Sequence, residues 1–423
     1  MTARSRVTNE EKEPDVAART QTLARATDIK PFTVEIPEAD LQDMRRRIAA
    51  TRWPDRQTVN DQSQGVPLET SQALARYWEK EYDWRKAEAR LNSLPNFITE
   101  IDGLDIHFIH VRSKHENALP LIVTHGWPGS VIEQLKIIEP LTDPTAHGGS
   151  ASDAFHVVIP SMPGYGFSGK PTEPGWGPDH VARAWTELMK RLGYNRFVAQ
   201  GGDWGALITN LMGVQAPPEL AAIHTNMPST VPFEIDALVQ SDITGINGAL
   251  AKLPANLSEE ERRAAEQQDF FWKHSAYALI MATRPETLIG LADSPVALAT
   301  FMCDHDAASL ELICRAFAGN PGGLTRDDIL DNITLTWLTN TGVSSARIYW
   351  ENKYSFLGAK DVSVPAAVSV FPDELYQAPR SWAEQAYPNL IHYNQLDRGG
   401  HFAAWEQPQL LTDELRTAFR SVR

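Results

Sequence analysis

Cysteine is scarce: Cys303 and Cys314 are the two in a chain of 423 residues. That count excludes a disulfide framework, and their spacing excludes a metal site of the Cys-x-x-Cys kind. Basic runs are missing too. With a formal net charge of -15, the chain repels phosphate backbones and anionic headgroups, so nucleic acid and anionic membrane surfaces are not expected partners. No apolar stretch reaches the ~18 residues a bilayer span needs. Residues 1 to 28 carry many charges and neither an apolar run nor a small-residue cleavage site, which suits a disordered tail better than a leader. The expected location is the cytoplasm. Internal repeats and low-complexity tracts are absent. So is any Gly-x-Ser-x-Gly, without which a serine hydrolase of the usual kind lacks its nucleophile.

What is present is a soluble, globular composition, 42% apolar and 22% charged. At 423 residues the chain exceeds the size at which one core keeps growing, so one large decorated domain or two packed units is expected. From Pro31 to Pro95 the tone is helical, with Ala39 to Ala50 rich in helix formers and Glu69 to Leu91 repeating Leu74, Tyr77, Trp78 and Trp84. Large aromatics bury for area, so Trp53, Trp78 and Trp84 read as packing anchors. Phe97 to Ile101 and Leu104 to Val111 flank Asp102-Gly103, the signature of a two-residue hairpin.

Short β-branched runs follow at Leu121 to Thr124, Phe155 to Pro160, Phe197 to Gln200 and Ala221 to Thr225, the later ones separated by helical stretches at Asp179 to Leu192 and Ala206 to Val214. Buried strands alternating with helices predict an α/β fold with a mostly parallel sheet covered on both faces. The alternation then stops. Pro228 to Trp350 is mainly helical, clearest over Glu259 to Thr283 and Pro295 to Phe317, before strands resume at Val364 to Phe371 and Leu390 to Asn394 and a helix closes the chain from Pro408 to Arg420. The simplest reading is an inserted helical cap. The expected division is a tail over 1–28, an N-terminal helical wrap over 29–95, a core from 96–228 and 351–423, and a cap over 229–350.

The chemistry centres on Gly201-Gly202-Asp203-Trp204-Gly205, between the strand ending at Gln200 and the helix near Ala206. This is the strand-turn-helix elbow of Gly-x-Ser-x-Gly with Asp in the nucleophile's place. Taken alone, the pentapeptide also suits a glycine-rich turn with an Asp N-cap. A carboxylate nucleophile is useful against alkyl carbon, because the ester it forms can be hydrolysed and one hard displacement becomes two easier steps. Epoxides and haloalkanes fit. His125-Gly126-Trp127-Pro128-Gly129 follows an earlier strand, where this fold places an oxyanion donor, so the backbone N–H groups of Trp127 and Trp204 are the candidate pair. His401, flanked by Gly399-Gly400 after the last strand, sits where the base belongs in the order nucleophile, acid, histidine. Phe371-Pro372-Asp373-Glu374 ends the preceding strand and offers two carboxylates for the acid.

With these motifs, the chain resembles the microsomal epoxide hydrolase family, including its soluble bacterial members. The likeness runs over nearly everything after Lys30: Thr51-Arg52-Trp53-Pro54, Tyr82-Asp83-Trp84-Arg85, Phe97 to Ile101, His125 to Gly129, Pro163-Gly164-Tyr165-Gly166-Phe167-Ser168, Gly201 to Gly205 and Gly399 to Pro408. It implies an α/β-hydrolase fold and a wrap that covers core and cap; the sequence departs from the mammalian members in showing no membrane anchor, which fits the expectation of a soluble protein. It also implies Glu374 as the acid and two cap tyrosines, Tyr277 and Tyr349, that hydrogen-bond the epoxide oxygen. A phenol of pKa ~10 is a suitable acid for the alkoxide that forms. The expected activity adds water to an epoxide through an Asp203 ester, with no cofactor or metal, and leaves room for a homodimer. A haloalkane or haloacid dehalogenase would use the same triad but hold halide with Trp or Asn donors, and Tyr277 and Tyr349 argue against it. A catalytically silent ligand-binding relative is disfavoured because all three triad members are present.

Overall fold

The structure is a computed structural model that describes residues 28–423, so the tail expected over 1–28 falls, but for Asp28, outside the described residues. Among these, nine strands form one sheet: β1 Lys30–Pro31, β2 Asn96–Ile101, β3 Leu104–Val111, β4 Leu119–Thr124, β5 Phe155–Pro160, β6 Phe197–Gly201, β7 Leu220–Thr225, β8 Ala366–Val370 and β9 Leu390–Gln395. The spatial order is β1-β2-β3-β5-β4-β6-β7-β8-β9. The first three strands pair antiparallel, and β5, β4, β6, β7, β8 and β9 run parallel.

Local chemistry accounts for these elements. Asp102 and Gly103 both adopt positive φ, +49° and +81°, as a two-residue hairpin requires. β6 and β8 are buried along their whole length, as expected where helices cover both faces. The helices Pro178–Arg191 and Trp204–Gln215 supply part of that cover. The order reverses at β4, which lies between β5 and β6, and such a switch point opens a crevice at the carboxyl ends of the strands. The turns after β4, β6, β8 and β9 carry the candidate residues at that edge.

Between β7 and β8 the chain runs through seven α-helices, Phe233–Gln240, Glu259–His274, Ala276–Thr283, Pro295–Cys303, Ala307–Phe317, Arg326–Leu338 and Arg347–Glu351. Two stretches expected to be continuous are broken. The first stops at Ser275, whose ψ of 49° leaves the helical region. The second stops at Asp304-His305-Asp306, where the Asp306 carboxylate caps the next helix by accepting from Ser309 N–H at 2.8 Å. The helical stretch over Glu69 to Leu91 likewise divides into Leu68–Lys80 and Trp84–Asn92, with Asp83 accepting from Arg85 N–H at 3.0 Å. Side-chain caps outcompete helix continuation at Asp306 and Asp83, whereas at Ser275 the backbone angle alone ends the helix.

The N-terminal segment crosses to the helix Arg326–Leu338 through three aromatic donors. Trp78 Nε1–H donates to Thr334 at 2.9 Å, Tyr77 to Asp327 at 2.8 Å and Tyr82 to Asp331 at 2.7 Å. Trp78 and Trp84 are fully buried, but Trp53 is 37% exposed and lines a cavity, so it is not a packing anchor. It stands in the irregular stretch after the first helix. Among the described residues, no helix is long and apolar enough to cross a membrane.

Candidate active site

Asp203 adopts φ +50° and ψ -127°, a backbone state that side-chain-bearing residues avoid and that marks a strained functional turn. Crowding on both sides holds it there. A Cβ on Gly205 would collide with the Thr124 carbonyl at the end of β4, and one on Gly126 would collide with the Asp203 carboxyl itself. Those two glycines let the turns after β4 and β6 approach until Trp127 N–H donates to Asp203 Oδ1 at 2.7 Å. The same loop is clamped from the helix Arg326–Leu338, where Asn332 donates to Pro128 O and accepts from the Ser130 hydroxyl, each at 2.7 Å. The His125 ring accepts from Met162 N–H at 3.2 Å, and burial lowers its pKa to about 4, so it is a neutral brace between loops.

The other carboxylate oxygen faces imidazole. His401 Nε2 lies 3.5 Å from Asp203 Oδ2, and His401 Nδ1 lies 2.5 Å from Glu374 Oε1. Glu374 is held in turn by Leu375 N–H at 2.8 Å and by Asn226 Nδ2 at 3.3 Å. Asp373, the other carboxylate the sequence left open, is exposed. Burial alone would push the His401 imidazole down, but Glu374 and Asp203 on either side outweigh it and hold it well above the ordinary range. Burial would raise the Asp203 carboxyl, yet His401, His305 and the Trp127 N–H together bring it below its usual value. Asp203 is therefore an anion beside an imidazolium.

Two phenols from the helices between β7 and β8 stand over this pair. The Tyr277 ring stacks on Trp127 with centroids 4.8 Å apart, Tyr349 meets Trp204 edge-on at 4.6 Å, and the two tyrosine centroids are 6.3 Å apart. Burial and the Asp203 charge hold the Tyr277 hydroxyl well above the usual phenol range. Tyr349 is likewise held high, by burial, Tyr277 and Asp203. Both shifts favour the protonated phenol. Trp204 N–H, the second candidate oxyanion donor, sits in the first turn of its helix, where N–H groups lack an intrahelical acceptor. A cavity of about 930 Å³, within the range of small-molecule sites, lies between the N-terminal segment and the helices that separate β7 from β8. Trp53, Leu68, Leu291, Val296 and Phe301 line it, and it reaches Tyr277.

One residue escaped the sequence reading. His305 Nε2 lies 3.9 Å from Asp203 Oδ2, its Nδ1 is 2.9 Å from Asp306, and its ring stacks on His401 with centroids 4.5 Å apart. The helical pattern over Pro295 to Phe317 runs straight through it, although the Asp304-His305-Asp306 interruption of an apolar run, with Ser309 at capping distance from Asp306, is a usable signal. Asp203, His305 and His401 also bring three ligand atoms within 4.8 Å of one another, the one such group found among the described residues. A cation there would occupy the Asp203 carboxylate, so it would compete with any nucleophilic use of that group.

Comparison with known proteins gives a consistent family. A profile described as "Epoxide hydrolase N terminus" matches residues 29–134, and one for the alpha/beta hydrolase fold matches residues 120–257. A Stigmatella aurantiaca (strain DW4/3-1) protein, described as a candidate epoxide hydrolase, is 52% identical over 402 residues, covering 93% of this chain and 86% of that protein. Epoxide hydrolase 1 of Oryctolagus cuniculus is 36% identical over 406 residues, covering 92% and 88%. Among solved structures, juvenile hormone epoxide hydrolase of Bombyx mori superposes with a TM-score of 0.82 at 30% identity, covering 96% of this chain and 97% of that one. The Aspergillus niger epoxide hydrolase superposes with a TM-score of 0.75 at 30% identity, covering 95% and 98%.

Proposed function

The chain belongs to the epoxide hydrolase family on the α/β-hydrolase fold, and from that premise we propose that it converts a lipophilic epoxide to a vicinal diol through an ester on Asp203. The observation that carries this reading is the environment of one carboxylate: Trp127 N–H on one oxygen, His401 beside the other, and two protonated phenols overhead. Asp203 attacks an epoxide carbon, the ring C–O bond breaks, and Tyr277 and Tyr349 share donation of a proton to the departing oxygen. Esterification removes one of the two anions that hold His401 protonated. The imidazole then serves as base for a water, with Glu374 fixing its orientation and charge. The oxyanion formed on the Asp203 carbonyl oxygen meets Trp127 N–H and Trp204 N–H. The lining of the larger cavity is mostly apolar, though Arg52, Asp55 and Asp304 also contribute, which supports a lipophilic substrate.

Single-turnover hydrolysis in oxygen-18 water tests the mechanism. Label should enter the Asp203 carboxylate before the diol, because the diol takes its new oxygen from the aspartate, and Asp203→Ala should be inactive. Label passing straight into first-turnover diol refutes the ester. The comparisons favour epoxide over haloalkane substrates, and a diol assay beside a halide-release assay makes the distinction. We also infer the division into wrap 29–95, core 96–228 and 351–423, and cap 229–350, supported by the helices between β7 and β8. A cytoplasmic location is supported by two unbridged cysteines and is checked by cell fractionation.

A further inference from the structure

Opening the epoxide consumes no water, whereas cleaving the ester needs one water delivered to the Asp203 carboxyl carbon. A second, much smaller cavity touches Asp203. It measures about 10 Å³, close to the least volume that holds one water, and it shares no lining residue with the larger cavity. Glu133, Gln134, Gln200, Asn226 and His401 contribute to its wall. All five are at least nine-tenths buried.

Four of these residues each present a buried polar atom that has no hydrogen-bond partner among the described residues: Glu133 Oε2, Gln134 Oε1, Gln200 Oε1 and His401 Nε2. Buried polar groups of folded proteins are nearly always satisfied, and a buried water characteristically joins two to four that protein atoms leave over. The remaining atoms of the wall are already committed. Gln134 Nε2 donates to Glu133 Oε1, and Gln200 Nε2 donates to Asn226 Oδ1 at 3.1 Å, while Asn226 in turn donates to Glu374. The backbone makes room for this arrangement, because a Cβ on Gly129 would overlap Glu133 Oε2. The last glycine of the His125–Gly129 motif thus leaves space for the Glu133 carboxyl.

We propose that Glu133, with Gln134 and Gln200, holds the water that hydrolyses the Asp203 ester; the inference rests on the ester reading above. Burial also pushes the Glu133 carboxyl up to about 8, so near neutral pH it is mostly the neutral acid, which can donate as well as accept. The water gives one proton to His401 Nε2 as its oxygen bonds to the Asp203 carboxyl carbon. Its other O–H rests on a glutamine or glutamate oxygen. Collapse of the tetrahedral intermediate breaks the carbon–oxygen bond to the diol, which takes the proton from His401, and the carboxylate returns with one oxygen from water. Glu133 is a positioning residue for the second step and has no part in the first.

The test follows ester formation and decay separately, by rapid quench and intact mass with styrene oxide, in the wild type, Glu133→Leu and Glu133→Gln. Glu133→Leu should slow ester decay by about tenfold to a hundredfold and change ester formation by less than about threefold. Glu133→Gln, which keeps a polar oxygen at the site, should recover much of the decay rate. Decay at the wild-type rate in Glu133→Leu overturns the proposal. So does equal slowing of both steps in a protein that melts like the wild type, since a packing role predicts that result. Should Glu133→Leu fail to fold, Gln200→Leu on another wall of the cavity carries the same comparison. Absence of ester in both the wild type and His401→Gln refutes the ester reading itself, whereas normal decay of an ester that does form refutes the role of Glu133 alone.

Discussion

Replacing Tyr277 and Tyr349 by Phe, singly and together, separates the donor role of the phenols from their packing. Each ring is anchored by an aromatic partner, Tyr277 by Trp127 at 4.8 Å and Tyr349 by Trp204 at 4.6 Å, so Phe keeps the ring contact and removes only the hydroxyl. What is lost is a hydrogen bond to charge that develops on the epoxide oxygen, worth roughly 2–4 kcal/mol in a water-poor site. At about 1.4 kcal/mol per tenfold, one substitution should slow ester formation some thirtyfold to several hundredfold. Centroids 6.3 Å apart allow both hydroxyls to reach one oxygen, so the surviving phenol still protonates the alkoxide in each single variant. The double variant has no such donor and should lose roughly 10³-fold or more. Rapid-quench mass spectrometry of the covalent ester is the assay, because steady-state rates mix formation with hydrolysis. Decay of preformed ester should change much less. A double Phe variant that forms ester within about tenfold of the wild-type rate would refute the argument and reopen the dehalogenase alternative.

His401→Gln should trap the ester, because alkylation needs only Asp203 and the phenols; intact mass should rise by one epoxide, and unmodified protein after incubation with a wild-type substrate would oppose the mechanism. Gly126→Ala should cut turnover at least a hundredfold by forcing the Asp203 carboxyl off the Trp127 N–H, a steric effect that substrate concentration should not rescue in a saturation assay. The Asp331 carboxyl, pushed up to about 7 by burial, gives a stability prediction with a definite sign. The folded chain keeps a proton that the unfolded chain, with a carboxyl pKa of ~4, has released, so folding loses stability as pH rises from about 4 to 7 and levels off above. Asp331→Asn can still accept from Tyr82, so thermal melts should show it above wild type by about 1–3 kcal/mol at pH 8 and equal to it near pH 4.

Much of this was legible in the chain because the signals are local. The Asp102-Gly103 hairpin, the β-branched runs and the glycine-framed turns each depend on a few neighbouring residues. The strands accordingly appear within one or two residues of where alternation and β-branching put them. Helix interruptions were less legible. At Ser275, at Asp304–Asp306 and at Asp83, a capping side chain or a change in backbone angle competes with helix propensity, and a few tenths of a kcal/mol per residue either way decide the outcome. β1, only two residues long, has no pattern of its own; Phe32 N–H follows it in bonding to Asn96 O at 2.9 Å because the neighbouring edge is there to pair with.

The sequence by itself determined the class of fold, the family, and which residues are nominated for nucleophile, base, acid and phenol donors. Motif spacing carries that information because the turns at strand ends are local structures with strict steric demands. The residues alone leave two adjacent carboxylates open and the family resemblance points to Glu374; the packed loop shows the physical difference, with Glu374 turned inward onto His401 and Asp373 outward. Tertiary structure also brought His305, nearly a hundred residues away in the chain, against His401, and gathered Glu133 from the helical turn after β4 and Gln200 from β6 around a space the size of one water. Those contacts depend on burial and on what stands opposite, quantities that belong to the folded molecule and have no expression in any short stretch of its sequence.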